Sequence, residues 1–227
     1  MSIKARIDFP PSSRCYRAKW QTFKLRRDLR QKLPSFALPY FEAAMAGDTD
    51  AATEAALTAP NSLRGHLVML AYLDASAAVL RGVLEPVWAH DHDRLVAAAL
   101  TNRQLKGVFE RAAFPPQAWM PDTVRVYRGT YGLDLSRARL GHSWTIDRDV
   151  ACFFARHRAR GARGGLLVLT AEVPKARIAF YTDERNERET VIVGGVRTAR
   201  PDGPSRNGPL PQTDLRDTTP PSGWGVP

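Results

Sequence analysis

The sequence predicts an α+β chain in which a helical first half leads into a β-rich second half. Three observations carry this. Apolar positions recur at helical spacing in "LRGHLVMLAYLDASAAVL" and again in "DRLVAAALTNRQLKGVFERAA". Past the three prolines of "FPPQAWMPD" (114–122) the pattern changes to short β-branched and aromatic runs separated by Gly, Pro or charge. Hydrophobic residues make up 44% of the 227, enough core for one sizeable domain or two small ones.

Residues 1–34 form a basic arm. Its first 32 residues carry ten Lys or Arg against Asp8 and Asp28, which is +8 of the chain's formal +10. Such a field favours polyanionic partners, and a solvated arm that aids solubility fits it equally well. No apolar run there is long enough for a signal peptide, so a cytoplasmic protein is expected, acting in its own cell or in a host or target cell. Residues 35–119 are expected to be helical, with Asp48 or Thr49 and then Asn61 or Ser62 as caps. The longest apolar stretch, Leu67 to Ala89, is interrupted by Asp74, Arg81, Glu85 and Pro86 and reads as a buried helix, not a membrane span. "HDHD" (90–93) holds imidazoles and carboxylates, but residues two apart on a helix face different ways, and Asp91 or Asp93 fits a helix cap. No metal site is expected.

Residues 120–200 form the β core. "TVRVYRG" (123–129), "LLVLTAEV" (166–173), "ARIAFY" (176–181) and "TVIVGGVR" (190–197) read as strands. Between the first two, Thr145 or Asp147 fits the cap of a helix carrying Val150, Phe153 and Phe154 on one face. From 201 to 227 the chain holds seven prolines and four glycines, a Pro/Gly-rich tail with little apolar surface to offset the entropy of ordering. Cys15 and Cys152 lie far apart with no further cysteines, so both read as free thiols.

Three polar features stand at strand ends: Arg128 in "VYRG", Ser143 and Thr145 in "GHSWT", and Glu187 and Glu189 in "NERE". Singly, each has an ordinary structural reading: a surface ion pair, a helix cap, a charged strand edge that discourages aggregation. In combination and in order, "VYRG", "SWT", "VACFFARH", "LTAEVPKARIAFY" and "ERETVIV" resemble the R-S-E branch of the mono-ADP-ribosyltransferases, over roughly residues 120–197. That family shows an aromatic-Arg-Gly strand, a Ser-Thr-Ser-like strand, a segment rich in Phe and Arg, and a Glu-x-Glu that opens a later strand. The chain departs from the pattern at Trp144, where a small hydroxyl residue is usual, and in having Thr145 in place of the second Ser. The loop before Glu189 is short and heavily charged.

The resemblance implies a mixed β-sandwich core and cleavage of the nicotinamide–ribose bond of NAD, the co-substrate, with transfer of ADP-ribose to a macromolecule. Breaking that bond develops positive charge on the sugar, which a nearby carboxylate stabilises. By resemblance Glu189 has this role and Glu187 orients an acceptor, so that protein arginine is favoured over nucleic acid. A guanidinium stays protonated at any working pH and needs a positioned base before it attacks. Arg128, with Gly129 beside it, is placed to hold the dinucleotide through its planar fork. Ser143 and Thr145 are expected near the nicotinamide ribose, and Phe154 and Arg156 where the family makes its phosphate and nicotinamide contacts. The glycine pairs lack Rossmann or Walker spacing, so NAD binding here would not use those turns. Two alternatives stay open: an ADP-ribosyltransferase acting on RNA or DNA, and a basic nucleic-acid-binding module without catalysis. Neither the acceptor nor any inhibitor or antitoxin partner is legible.

Overall fold

The computed structural model describes residues 14–99, 101–158 and 165–202. The first 13 residues of the basic arm, residues 159 to 163 of "RHRARGAR", the tail from 203 onward and the side chain of Cys15 lie outside the described residues. The chain divides into two compact units, residues 1–99 and 100–227.

The first unit is helical throughout: α1 (Arg14–Lys32), α2 (Leu38–Ala46), α3 (Thr49–Thr58), α4 (Asn61–Asp74) and α5 (Ala77–Ala99). Much of the expected arm is therefore helix. Asp48 caps α3 as expected, accepting from the amides of Asp50 and Ala51 at 2.9 and 3.0 Å. Neither Asn61 nor Ser62 caps α4, which follows Pro60 directly; the Pro60 carbonyl accepts from Leu63 N at 2.8 Å. A face of alanines (Ala51, Ala52, Ala55, Ala56) on α3 and apolar residues of α5 (Val79, Leu80, Val83, Leu84) supply much of this unit's core. "HDHD" falls at a kink inside α5, where Asp91 leaves helical geometry at φ −142°. Its carboxylate pairs with Arg64, which also donates to the carbonyls of Leu57 and Ala59 at 2.9 and 3.1 Å. No helix among the described residues is long and apolar enough to cross a membrane.

The second unit contains α6 (Asn102–Ala112), β1 (Thr123–Tyr131), α7 (Leu135–Ala138), β2 (Ser143–Thr145), α8 (Arg148–Arg158), β3 (Leu166–Pro174), β4 (Phe180–Thr182), β5 (Glu189–Val191) and β6 (Arg200–Pro201). Its boundary precedes α6 and does not fall at 119. The reason is aromatic packing: Phe109 of α6 stacks on Phe180 with ring centres 6.5 Å apart, and Phe114 lies 4.3 Å from the same ring.

The described strands make one antiparallel sheet in the order β4-β5-β2-β1-β3-β6. The α+β class holds, but the expected sandwich is replaced by this single six-stranded sheet. One face packs an apolar core of Val124, Val126, Trp144, Leu169, Val173, Ile192 and Val196. Over β1 and β3 a helix, α8, covers the other face in place of a second sheet, seating Ala151, Cys152 and Ala155 on Tyr127 and Val168. Gly129 makes the close approach possible, because a Cβ there would stand 1.7 Å from the Ala151 carbonyl oxygen. Two local expectations are corrected. The small residues Ala151, Cys152 and Ala155 form the seat of α8, Val150 is buried, and Phe153 and Phe154 are left half-buried with their rings edge-on at 5.8 Å. In 176–181 the chain first makes a 3₁₀ turn at Lys175–Arg177, so only β4 of that stretch is strand.

Candidate active site

Strand register sets Tyr127 of β1, Thr145 of β2, Glu189 of β5 and Thr182 of β4 directly opposite one another across four neighbouring strands. Directly opposed residues share a sheet face, and adjacent strands lie about 4.8 Å apart. The four side chains therefore form a row, with the Glu189 backbone about 5 Å from Thr145 and about 10 Å from Tyr127. Ser143, two residues along β2, shares the face; Trp144 between them turns to the apolar core and donates its indole N–H to the Gly141 carbonyl at 2.8 Å. The departure of the sequence at Trp144 thus lies on the face away from Glu189.

Glu189 is 6% exposed and Glu187 8%. Glu189 opens β5 between β2 and β4, and Glu187 lies in a short preceding loop pinned from several sides. Thr145 donates its hydroxyl to the Glu187 carbonyl at 2.8 Å and accepts from the Asp147 amide at 3.0 Å. The Ile146 amide donates to the Arg188 carbonyl at 3.2 Å, and the Glu184 amide to the Thr182 hydroxyl at 3.1 Å. Arg188 approaches Asp147 at 3.7 Å. Between these anchors three non-glycine residues take left-handed backbone: Arg185 at φ 66°, Asn186 at 56° and Arg188 at 46°. Such conformations cost of order 1 kcal/mol or more each and persist only where surrounding structure enforces them. Glu184 is exposed.

Arg128 follows a different route. Alternation along β1 sends its side chain to the face opposite Thr145 and Glu189. Its guanidinium lies so close to Gly141 that a Cβ there would sit 2.0 Å from Cζ, and Nη1 donates to the Ser143 carbonyl. The Ile192 amide donates to the His142 carbonyl, so in antiparallel geometry the Ser143 carbonyl points toward β1. Arg128 meets it there, just past Tyr127–Thr145, the one register pair that joins β1 to β2, and braces the junction of these strands.

α8 begins at a cap made by Asp147, whose Oδ1 accepts from Asp149 N at 2.9 Å and Val150 N at 3.4 Å; Thr145, the other candidate cap, is engaged with the carboxylate loop. Phe154 is half-buried on this helix and Arg156 exposed. Beside the row, the same sheet face opens into a groove of about 750 Å³ lined by Arg125, Tyr127, Thr170, Glu172, Arg200 and Asp202. Arg125 donates to Glu172 at 2.7 Å, and this hydrogen bond, with the accompanying charge, holds the Glu172 carboxyl below the usual range. Arg148 pairs with Asp202 at 2.6 Å.

The structure brings Thr145, Glu187 and Glu189 together, with Ser143 on the same face; it sets Arg128 behind them and Phe154 and Arg156 on the covering helix. Tyr127, Thr182 and Arg185 are site residues that sequence reading passed over. Tyr127 was signalled by the alternation of "TVRVYRG", which sets its side chain opposite in sense to Arg128. Comparison with known proteins returned no matching family model, no matching curated protein and no matching solved structure.

Proposed function

We propose that the second unit is an ADP-ribosyltransferase-like domain that cleaves the nicotinamide–ribose bond of NAD and transfers ADP-ribose to protein arginine. The observation that carries this reading is the pair of buried carboxylates two residues apart, one on a strand between two neighbours, the other flanked by Asn186 and Arg188, both held in left-handed backbone. In this reading Glu189 stabilises the oxocarbenium-like sugar from a rigid element. Glu187 orients the acceptor guanidinium and takes its proton. Thr145 positions Glu187 through the loop carbonyl. Arg128 serves from behind the sheet, bracing β1 against β2, and Gly129 seats α8, so that in this reading neither meets the dinucleotide directly; Ser143 on the Glu189 face and Phe154 and Arg156 on α8 are the remaining candidates for its contacts. The groove with Tyr127, Arg125 and Arg200 offers an aromatic ring and cationic groups on the Glu189 face, as a dinucleotide requires. The protein is proposed to work in the cytoplasm of its own or a target cell.

Replacing Glu189 with Gln keeps the shape and removes the charge. Nicotinamide release by Glu189→Gln is expected to fall at least about 10²-fold, with the melting temperature little changed. Equal turnover by the two proteins would remove Glu189 from the mechanism. The eight basic residues of α1 against its single Asp28 favour nucleic acid as the alternative acceptor. Labelled NAD added to a whole-cell lysate separates the two: label lost to protease supports arginine, label lost to nuclease replaces it. Nucleic-acid binding with no nicotinamide release would instead favour a module without catalysis.

A further inference from the structure

We infer that the exposed face of α1, with the aromatic residues that follow it, is a docking surface for single-stranded nucleic acid. Charge is segregated within the first unit. α1 carries eight Lys or Arg against Asp28, whereas residues 33–99 carry Arg64, Arg81 and Arg94 against eight Asp or Glu. A polyanion is thus drawn to one helix and turned away from the others, which fixes how it approaches. Phe23, Lys24, Arg27, Arg30 and Gln31 fall on one side of a 3.6-residue helix, and all five are exposed. The opposite side carries the buried Leu29, with buried Leu33 just past the helix end.

Three cations of α1 have carboxylate neighbours: Arg26 with Asp74 at 3.6 Å, Arg27 with Asp28 at 3.4 Å and Arg30 with Glu42 at 2.5 Å. Exposed pairs of this kind contribute little, so a phosphate readily takes the place of the carboxylate. Lys24 and Lys32 are exposed on the same helix. Aromatic exposure decides among polyanions. Phe23 is 66% exposed among these cations, Phe36 is 64% exposed four residues past the helix end, and Tyr40 is 41% exposed four residues further on, within α2. Unpaired bases stack on such rings, and the phosphates between them meet the Lys and Arg side chains. In a duplex the base faces are already stacked, so a single strand is the form that uses both the rings and the charge. A membrane surface fits less well. Over residues 21–32 the one exposed apolar side chain is Phe23, whereas an interfacial helix needs a broad apolar face.

The test is fluorescence anisotropy of the full chain with a labelled oligouridylate of about twelve nucleotides and the matching oligothymidylate, without NAD. Binding is expected at low salt, with log K falling against log salt at a slope of about −2 to −3, the value for three or four phosphates at ~0.7 each. Lys24→Ala with Arg27→Ala should weaken binding and flatten the slope by about 1.4. Phe23→Ala with Phe36→Ala should weaken binding at least about fivefold and leave the slope unchanged, because the rings contact bases and not phosphates. All four side chains are exposed, so melting temperatures should stay near the parent's. A preference for either strand supports the surface and names its source as RNA or DNA. No binding at low salt, binding indifferent to either pair of substitutions, or displacement by duplex as readily as by single strand would overturn the proposal; so would capture by anionic phosphatidylserine vesicles without oligonucleotide binding. Since NAD is absent from the assay, an inactive transferase leaves a positive result standing, and a failure to bind leaves the transferase reading in place.

Discussion

A single hydroxyl ties the two halves of the candidate site together. Thr145 is 6% exposed, and its Oγ1 donates to a carbonyl 42 residues away while accepting the amide of Asp147. A hydroxyl offers one donor and two acceptor lone pairs, so both bonds are met by one atom. Thr145→Val has nearly the same shape and supports neither bond. It is expected to lower stability by about 1–3 kcal/mol and to reduce nicotinamide release as Glu187 loses its anchor, whereas Thr145→Ser restores most of both. Thermal melts run beside activity assays check this; a Val variant as stable and active as the parent would show that the loop is held by other means. The resemblance marks Thr145 as a hydroxyl expected near the nicotinamide ribose, and the sequence offers it as a helix cap; Asp147 makes that cap and Thr145 is engaged with the loop. Its bond to the loop was not legible, since a contact between 145 and 187 depends on β2 and β5 being neighbours in register.

At the scale of elements, α8 shows which signals reach the sequence and which do not. Its start is legible in Asp147, because a carboxylate one or two residues before a helix satisfies otherwise orphaned amides. Its packing face is not. Large aromatics suggest burial, yet Gly129 admits the helix backbone so close that only Ala151, Cys152 and Ala155 fit beneath it. Strands fare likewise: β1 and β3, nine residues each, print a pattern, while β2, β4 and β5 have three residues and β6 two, too few for alternation to register. The second sheet of the expected sandwich was an inference from resemblance, and α8 takes that place over β1 and β3. The tight seat has a measurable consequence. Burial pushes the Cys152 thiol up from its ordinary value, with Arg148 and Arg156 opposing. A raised folded value means stability from the neutral thiol that is fully present below the unfolded value of about 8.5 and is lost as pH rises through the folded one. Between about pH 8 and 10, chemical denaturation is expected to show wild type losing stability with pH more steeply than Cys152→Ala. Native Cys152 should also alkylate slowly until urea opens the helix. Parallel pH profiles for the two proteins would show that the thiol is not held neutral.

For the whole molecule, two units with separate cores raise the question of where the chemistry resides. Every residue of the row, the carboxylate loop, α8 and the groove belongs to residues 100–227, as does the apolar core beneath the sheet. A chain of that length is large enough to bury a core of its own. This unit also carries 20 Lys or Arg against 13 Asp or Glu, a net +7, so the candidate site has a positive field of its own, whereas the acidic residues that follow the basic first segment bring residues 1–99 down to a net +3. A net field of that sign concentrates a dinucleotide diphosphate near the surface, and salt weakens the effect over a Debye length of about 10 Å at 0.1 M. A fragment comprising residues 100–227 is therefore expected to melt cooperatively and to release nicotinamide from NAD at a rate close to the full chain's. Its KM for NAD should rise with ionic strength as the full chain's does, because the same charges act in both. If the fragment folds but is inactive, the helical unit must supply part of the site; if its KM is indifferent to salt, the positive charge serves another partner.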